Sequence, residues 1–403
     1  MSSLSSSLDH QLRTLAVEQG FSQIGIAPAV TPTGFHRLLD WLSKGYAADM
    51  QWMERRSDAY RHPDSMLPTT RSVIMLAINY HDGSVRQDGP KIARYAWGNA
   101  DYHDVLKERA KPLVSLIKQH HPGAKCRIVV DTAPLLERDF GRLTGLGWFG
   151  KNTMLISRKI GSWFVLAAIL TDIELPYDAA EESSYCGTCT RCLDACPTNA
   201  FPEPGVLDAG RCISYLTIEQ RTEPIPETLR AAIGDWMFGC DICQDVCPWN
   251  RFSPHDTVEE FEALPQRNTI DGPALFRMSP DEFEQEFAGT PLSRPGRAGL
   301  LRNVAIVLGN RQVTNAEPEL IMALSDPEAL VRGAAAWALA KMGSTPAFLT
   351  LQQRLLDETD DAVRMELRSA IAILSAKQQS NSSATHGDGN RATSDSNQKA
   401  ENS

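Results

Sequence analysis

The sequence lacks any long hydrophobic run: its longest uninterrupted apolar stretch is the eight residues from Trp163 to Leu170. A membrane-spanning helix needs about 20 apolar residues, so none is predicted. The N-terminal stretch MSSLSSSLDHQ has neither a basic region nor an apolar region, so we predict no secretory signal. We therefore expect a cytoplasmic protein that makes no membrane contact.

The chain also lacks the excess of positive charge that is typical of proteins that coat nucleic acids. Its 403 residues include 40 Lys and Arg against 50 Asp and Glu, a formal net charge of -10. This balance argues against bulk electrostatic binding of nucleic acid but leaves room for a local basic surface. Glycine (27) and proline (24) are close to average usage, which excludes a collagen-like chain. The length predicts two or three domains.

Cysteines are few but concentrated. Eight of the nine lie between Cys186 and Cys247, and Cys126 alone lies outside this segment. In a reducing compartment such clustering indicates metal binding rather than disulfides. Cys126 opens an apolar run, and we interpret it as a small core residue.

The spacing of these cysteines is that of a two-cluster ferredoxin. The first run, C-x2-C-x2-C-x3-C-P from Cys186 to Pro197, matches the bacterial ferredoxin pattern, whose fourth cysteine ligates the other cluster. The second run, from Cys240 to Pro248, lacks one thiolate, and Cys212 is the natural replacement. Zinc, which CxxC pairs also bind, is the alternative to two [4Fe–4S] clusters. The predicted ligand sets are a first quartet, Cys186, Cys189, Cys192 and Cys247, and a second quartet, Cys196, Cys212, Cys240 and Cys243.

Residues 1–175 are predicted to form a domain of alternating helices and buried strands. The predicted helices span 8–20, 35–44 and 102–120, and the predicted strands span 21–27, 72–80, 126–131, 152–157 and 162–173. This alternation is typical of an α/β or α+β domain.

The rest of the chain divides by composition. Residues 176–255 hold the cysteines, and 256–292 are predicted to form a connecting segment of short helices. Residues 293–377 are helical and weakly repetitive, with similar motifs beginning at Arg302, Arg332 and Arg364, which predicts HEAT-like repeats; a generic helical bundle is the alternative. Residues 378–403 contain no Leu, Ile, Val, Met or aromatic residue and are predicted to be disordered.

Several segments in one order resemble the epoxyqueuosine reductase family, a relative of the reductive dehalogenases. The resemblance extends over about residues 8–375, and its motifs lie at 94–106, 130–156, 161–173, 211–221 and 239–250. It implies an α+β protein with a nitroreductase-like cobalamin-binding α/β domain, a bacterial ferredoxin-like two-cluster domain and C-terminal HEAT-like α-helical repeats.

The resemblance also implies an activity. Such an enzyme reduces the epoxide of epoxyqueuosine to queuosine at the tRNA wobble position, the last step of queuosine synthesis. It uses cobalamin, cycling between cob(II)alamin and cob(I)alamin, and two [4Fe–4S] clusters. The expected partners are tRNA with a G-U-N anticodon and an external electron donor such as a flavodoxin or ferredoxin, and the expected state is a monomer. The rival interpretations are a cobalamin-dependent reductase of a small molecule and a non-catalytic electron-transfer protein.

By position, the resemblance implies that Asp131 is the proton donor. Asp131 ends a buried apolar strand, where desolvation would raise the pKa of its carboxyl group towards neutrality. The alternative is that Asp131 only caps the following helix. The implied cobalamin contacts are Arg61 (adjacent to the family's arginine position, which Tyr60 occupies here), Lys151, Asn152, Ser162, Ser214 and Asp241.

Two short motifs do not match the sites they resemble. The GxGxxG at 145–150 follows a predicted helix and precedes a predicted strand, the reverse of a dinucleotide-binding unit, so NAD binding is not predicted. The Asp101-Tyr102-His103 segment has Leu106 where a box that supplies histidine to cobalamin has glycine, so no histidine ligand to cobalt is predicted.

Contact with tRNA requires a local basic surface. Residues 294–311 contain no acidic residue, and the predicted phosphate contacts in this stretch are Arg294, Arg297, Arg302 and Arg311. The alternative is that these arginines, and those that recur later, bond neighbouring repeat loops.

Overall fold

The computed structural model describes residues 7–268 and 270–387. It divides into two compact units. The first unit comprises the residues up to Arg221 together with Ile225–Asp271 and Met278–Leu300, and the second unit comprises 222–224, 272–277 and the residues from Leu301 onward. Within the described part of the chain, every helix is too short or too polar to span a membrane.

The eight strands among the described residues all belong to the first unit. They are β1 (Gln23–Pro28), β2 (Ser72–Asn79), β3 (Lys91–Ile92), β4 (Cys126–Val129), β5 (Trp148–Phe149), β6 (Leu155–Ile156), β7 (Phe164–Thr171) and β8 (Trp236–Phe238).

Helices make up most of the remaining regular structure. The α-helices are α1 (Leu8–Glu18), α2 (Gly34–Ser43), α3 (Gln51–Arg55), α4 (Tyr102–His120), α5 (Glu137–Leu143), α6 (Arg191–Asp194), α7 (Ile213–Ile218), α8 (Glu227–Ile233), α9 (Ile242–Asp245), α10 (Pro265–Asn268), α11 (Gly272–Leu275), α12 (Pro280–Phe287), α13 (Gly296–Arg311), α14 (Glu317–Ala323), α15 (Ala329–Met342), α16 (Thr345–Asp357) and α17 (Asp361–Gly387). Short 3₁₀ turns lie at Ser57–Tyr60, Pro63–Ser65, Arg94–Ala96, Ala209–Arg211, Pro248–Phe252, Glu259–Phe261, Pro291–Ser293 and Thr314–Ala316.

The core of the first unit is an antiparallel sheet in the order β1-β2-β7-β4. All eight residues of β2 are buried. Alternate side chains of a strand leave opposite faces, so β2 serves two cores. Ile74, Leu76 and Ile78 pack in a core with residues of α1 and α4, whereas Val73, Met75 and Ala77 pack in a core with α5. This explains why the strand is a continuous apolar run rather than an alternating one.

Polar contacts attach the cysteine-rich segment to one end of this sheet. The Asn79 side-chain amide, at the end of β2, donates to the carbonyl groups of Pro254 and Asp256. The Gln244 amide donates to the carbonyl of Ser162, just before β7. The parallel pair β3–β8 adds a third connection. The positions of the cysteines are therefore set by the main sheet as well as by their own loops.

The second unit is built from helices. Its longest helices are α15, α16 and α17, and five of the ten buried residues of α15 are alanines, which let neighbouring helices approach closely. The structure differs from the sequence prediction at the C-terminal end. Helix α17 continues to Gly387, ten residues into the segment predicted to be disordered, because extending a formed helix costs much less than nucleating one. The rest of that segment, 388–403, lies outside the described residues.

Candidate active site and cluster sites

The first quartet surrounds a cavity of about 250 Å³. All four predicted cysteines line this cavity, which therefore brings Cys247 to the three thiols of the first run. Burial raises the pKa of the Cys192 thiol to about 11, and the nearby Cys186 and Cys247 thiols add to the shift. Lys151 Nζ donates to the carbonyl oxygens of Gly187 (2.8 Å) and Cys189 (2.9 Å) and so holds the cysteine loop in place.

Three aromatic rings pack beside the first quartet. The Trp148 ring meets those of Tyr185 and Trp249 edge to face, at 4.8 and 4.9 Å between centroids. Cys247 and Cys186 belong to the same apolar cluster. These rings keep water away from one side of the quartet.

The second quartet lies at a larger cavity, of about 350 Å³, which Cys212, Cys240 and Cys243 line. Burial raises the pKa of the Cys243 thiol, and the neighbouring thiols of Cys212, Cys192 and Cys196 raise it further. The Cys196 thiol also raises the pKa of Cys212, so Cys196 lies near this part of the second quartet, and its role as a ligand stays a prediction. The Cys192 thiol of the first quartet raises the pKa of Cys243, so the two quartets lie near each other.

Both quartets fit iron–sulfur clusters. The first quartet places four sulfur donors around one cavity, and three cysteines of the second quartet line the other cavity, with Cys196 near Cys212; this arrangement suits all-cysteine ligation of [4Fe–4S] clusters. Buried thiols with raised pKa values are unstable as bare thiolates, and a bound metal centre compensates their negative charge. Cys126 takes no part: its thiol donates to the Thr171 hydroxyl, in the sheet.

Asp131 lies in the larger cavity at the centre of a polar network. Its carboxylate accepts a hydrogen bond from the Tyr102 hydroxyl at 2.7 Å and lies 3.3 Å from His103 Nε2. Arg294 Nη1 lies 3.7 Å from the same oxygen, Oδ2. The backbone of Asp131 adopts a left-handed conformation with φ 42°, which is unusual for a residue other than glycine and is often found at functional sites.

The pKa of Asp131 is lower than the sequence argument predicted. Burial alone raises it, but hydrogen bonds from His103 and Tyr102 and the charge of Arg294 outweigh burial and lower it to about 2. The prediction of a raised pKa is therefore wrong, because these partners come from distant parts of the chain. At neutral pH Asp131 is a carboxylate.

His103 carries the proton that Asp131 lacks. Its Nδ1 lies 2.6 Å from Asp101 Oδ1 and its Nε2 faces Asp131, so the imidazole sits between two carboxylates. Burial lowers the pKa of His103, but the hydrogen bonds and charges of these carboxylates raise it to about 9. The Asp101-Tyr102-His103 segment therefore belongs to the site. From the sequence we considered this segment only as a source of a histidine ligand to cobalt, so its contact with Asp131 was not predicted.

Glu137 is a second protonated group in the same cavity. Burial and the neighbouring Asp131 charge raise its pKa to about 8. Its Oε1 accepts a hydrogen bond from the Asp131 backbone N–H at 2.6 Å. The helix-cap alternative for Asp131 is excluded, because the N-cap of α5 is Leu136 and no side chain caps it.

The structure brings together four of the six predicted cobalamin contacts. Asn152, Ser162, Ser214 and Asp241 line the larger cavity together with Asp131. Lys151 lines the cavity of the first quartet instead. Arg61 does not belong to the described lining of either cavity. Its side chain is 60% exposed, lies 3.6 Å from Asp58 and covers the ring of Phe35, and its contact with cobalamin stays a prediction.

The predicted tRNA-binding arginines occupy different environments. Arg294 joins the active-site network and donates to Glu219 at 2.7 Å. Arg302 is only 1% exposed and donates to Asn303 and to the Glu223 carbonyl, so its predicted contact with phosphate is corrected to a structural role. Arg297 and Arg311 lie half-buried on α13.

The fold and the two quartets define a class: an iron–sulfur oxidoreductase with a C-terminal array of HEAT repeats. The model for a 4Fe-4S double cluster binding domain matches residues 185–250, which decides against zinc. The model for HEAT repeats matches residues 297–372. The α+β fold class and the two clusters predicted from sequence are thus confirmed.

The particular family follows from a third model and from whole-chain similarity. Residues 61–132 match the model named "Epoxyqueuosine reductase QueG, DUF1730". An epoxyqueuosine reductase of Xanthomonas campestris pv. campestris is 39% identical over 83% of this chain and 96% of the relative. One from Synechocystis is 42% identical over 70% of this chain and 98% of the relative. The chain belongs to the epoxyqueuosine reductase family and is an oxidoreductase.

Solved structures of this family share the fold. A crystal structure of an epoxyqueuosine reductase with an epoxyqueuosine-modified tyrosine tRNA stem loop matches with a TM-score of 0.84 at 32% identity, covering 91% of this chain and 99% of that chain. The Bacillus subtilis enzyme, in a structure whose catalytic aspartate loop is swung out of the active site, matches with a TM-score of 0.83 at 31% identity and the same coverage.

Proposed function

We propose that this protein reduces the epoxide of epoxyqueuosine in tRNA to give queuosine, the last step of queuosine synthesis. The observation that carries the proposal is a single cavity that places three cysteines of the second quartet, an electron source, together with the protonated network around Asp131. The modified stem loop bound by the structural relative supports tRNA as the substrate.

The larger cavity fits cobalamin by its chemistry. Apolar and aromatic side chains such as Tyr95, Phe164 and Leu166 suit the face of a corrin ring, and Asn152, Ser162 and Ser214 suit its amide side chains. Cobalamin, when bound, supplies a cobalt centre that cycles between cob(II)alamin and cob(I)alamin and provides electrons for the epoxide. The protein's own tasks are to orient the substrate and to supply protons.

Removal of the epoxide oxygen as water, with formation of a carbon–carbon double bond, consumes two electrons and two protons. In our proposal, Asp131 Oδ2 receives one proton from His103 Nε2 and presents it to the epoxide oxygen. Tyr102 and Arg294 hold the Asp131 carboxylate in place. Glu137, with a pKa of about 8, holds a second proton in the same cavity at neutral pH. The catalytic loop of the Bacillus subtilis relative is named for an aspartate, which supports a catalytic aspartate in this site.

The proposal assigns the remaining tasks along the chain. Residues 1–175 bind cobalamin and substrate, 176–255 carry the clusters, 256–292 connect, and 293–377 contribute to tRNA recognition through phosphate contacts of Arg297 and Arg311. The substrates are cytoplasmic tRNAs with a G-U-N anticodon, and an external donor such as a flavodoxin or ferredoxin supplies electrons to a monomeric enzyme.

Mass spectrometry of tRNA from a deletion strain tests this function. We expect epoxyqueuosine to accumulate in the deletion strain and queuosine to return when the intact gene is restored. Restoration with the Asp131→Asn variant should leave epoxyqueuosine in place, whereas a Cys126→Ala variant should restore queuosine. Normal queuosine in the deletion strain would favour a small-molecule reductase or a plain electron carrier.

A further inference from the structure

A buried carboxylate lies within the second quartet. Asp241 stands between Cys240 and Cys243 in sequence and is only 2% exposed. A negative charge at this position opposes the addition of an electron to the neighbouring cluster, because charges interact strongly where water is excluded. A buried carboxylate without a partner is also costly. A positive charge that compensates Asp241 would therefore affect both electron transfer to the cluster and the stability of the fold.

Arg86 is the compensating charge. Its Nη2 lies 2.5 Å from Asp241 Oδ2, and its side chain is 13% exposed. Its Nη1 donates to the Ile92 carbonyl at 2.5 Å. The guanidinium also lies over the rings of Trp97 and Trp236, at 5.0 and 4.5 Å from their centroids. Stacking on two indoles and bonding to a carbonyl leave this cation little freedom to move.

The backbone around this ion pair ties it to the cysteine loop. The pairing of β3 with β8 places the segment after Arg86 beside the strand that ends two residues before Cys240. The backbone N–H of Arg94 donates to the same Asp241 oxygen at 2.8 Å. One further carboxylate faces the pair: Asp245 lies 3.9 Å from Arg86 and 3.7 Å from Arg94 Nε. Two arginines thus balance two carboxylates beside the second quartet.

We infer that Arg86 sets the reduction potential of the cluster held by the second quartet by neutralising Asp241. Iron–sulfur potentials depend on nearby charge, hydrogen bonds and solvent exposure. Arg86 provides a positive charge at an ion pair from which solvent is largely excluded. The step concerned is the passage of one electron from the first cluster, which is oxidised, to the second, which is reduced, with no bond made or broken. Arg86 is a positioning and tuning residue, since it contacts Asp241, Asp245, the Ile92 carbonyl and two indoles rather than a cysteine.

The test is an anaerobic redox titration of the full chain with both clusters loaded, followed by electron paramagnetic resonance. We expect Arg86→Gln to shift the second cluster's potential to a more negative value and to leave the first cluster's potential unchanged. Asp241→Asn should shift it to a more positive value. The double variant should return close to wild type, and Arg86→Lys, which keeps the charge, should stay near wild type.

A matched control distinguishes the effect of charge beside the second cluster from the general effect of replacing a buried arginine. Arg267 is also buried, lies over the Phe287 ring and pairs with Glu286, so Arg267→Gln should move neither potential. An unchanged second potential in an Arg86→Gln protein with full iron content would overturn the inference, as would equal shifts of both clusters. If Arg86→Gln loses iron, Asp241→Asn decides: a positive shift supports the inference, and no shift overturns it. The inference rests on the clusters alone and does not depend on the tRNA substrate. The redox titration therefore tests it independently of the proposed function.

Discussion

The two units of this protein use buried charges in different ways. In the first unit Asp131 and Glu137 line a cavity, with pKa values of about 2 and 8, and His103, with a pKa of about 9, contacts Asp131. In the second unit Arg332 forms a two-pronged ion pair with Glu358, whose pKa the Arg332 hydrogen bond lowers to about 2. Asp131 and Glu358 are both carboxylates whose pKa is lowered to about 2. A shifted pKa indicates catalysis only where the group can reach a ligand.

This comparison predicts that changes around the cavity alter chemistry, whereas changes in the helical repeats alter stability. The largest effect is expected at the cysteines. Cys212→Ala removes a ligand of the second quartet and should abolish turnover, because electrons no longer reach the cavity. The iron content of the anaerobically purified variant should fall well below the roughly eight atoms per chain of two intact clusters.

Cys126→Ala is the matched control for this prediction, since Cys126 is a half-buried cysteine that bonds only within the sheet. Both clusters should survive in that variant. Equal loss of iron in the two variants would show that the ligand assignment is mistaken.

The next largest effect is expected for Asp131→Asn. The amide keeps the shape of the side chain but cannot relay a proton, so turnover should fall by roughly 10²–10⁴-fold, the usual worth of general acid catalysis. Iron content and thermal stability should change little. Single-turnover assays with the cobalt already reduced isolate the chemical step from electron delivery.

Asp172→Asn provides the control, because Asp172 directly follows β7 much as Asp131 follows β4, yet its carboxylate accepts a hydrogen bond from the Lys125 backbone N–H and not from a side chain among the described contacts. Its activity should remain within about twofold of wild type, as expected of a surface change. If the single-turnover rate of Asp131→Asn stays within about threefold of wild type, Asp131 has no part in the mechanism. The predicted difference between the two units would then not hold.

A smaller effect with a distinct pH signature is expected for His103→Gln. The pKa of His103 is raised to about 9, so the imidazole is charged below that pH and loses its proton as pH rises through it. The wild-type single-turnover rate should therefore decline above about pH 8–9, where Glu137 also deprotonates. His103→Gln should lower the neutral-pH rate by roughly tenfold or more and shift or flatten the alkaline decline. An unchanged pH profile would assign His103 a structural role only.

The smallest effect is expected in the second unit, and it concerns stability. Arg332→Met leaves the buried Glu358 with Arg354 as its remaining ion-pair partner among the described contacts, and should destabilise the repeats by about 2–3 kcal/mol. Calorimetry should show a lower transition temperature, while the turnover rate below that transition stays unchanged. Arg368→Met, at an exposed position of α17, should change stability by less than about 0.5 kcal/mol.

The same ion pair predicts an acid dependence. Because the pKa of Glu358 is lowered from 4.5 to about 2, its contribution to stability is complete above about pH 4.5 and is lost as pH falls towards 2. The difference in stability between wild type and Arg332→Met should therefore shrink below pH 4.5. A difference that stays constant down to pH 2 would mean that packing, and not charge, accounts for the effect.

Much of the fold could be predicted because its signals are local. The apolar run of β2, the Ser7 cap of α1 and the recurring motifs of the repeats each lie within a few residues of one another. The protonation state of Asp131 could not be predicted in this way. His103 lies 28 residues before Asp131 in the chain, and Arg294 follows it at a much greater separation. Desolvation was the only effect visible from the strand; it is the largest single influence on the pKa of Asp131, but the combined effect of the distant partners outweighs it.

The sequence by itself determined the two-cluster domain and the family, and it predicted the eight cluster ligands, because cysteine spacing is a local property that the chemistry of a cubane restricts to few patterns. Only the tertiary structure decided what the charged residues do. Arg302 is buried, Arg294 serves Asp131, and Arg86 meets Asp241, although nothing in the local sequence of these arginines distinguishes them. The reason is that the energy of a charge depends on its solvent and on partners within a few ångströms, and long-range folding brings those partners together.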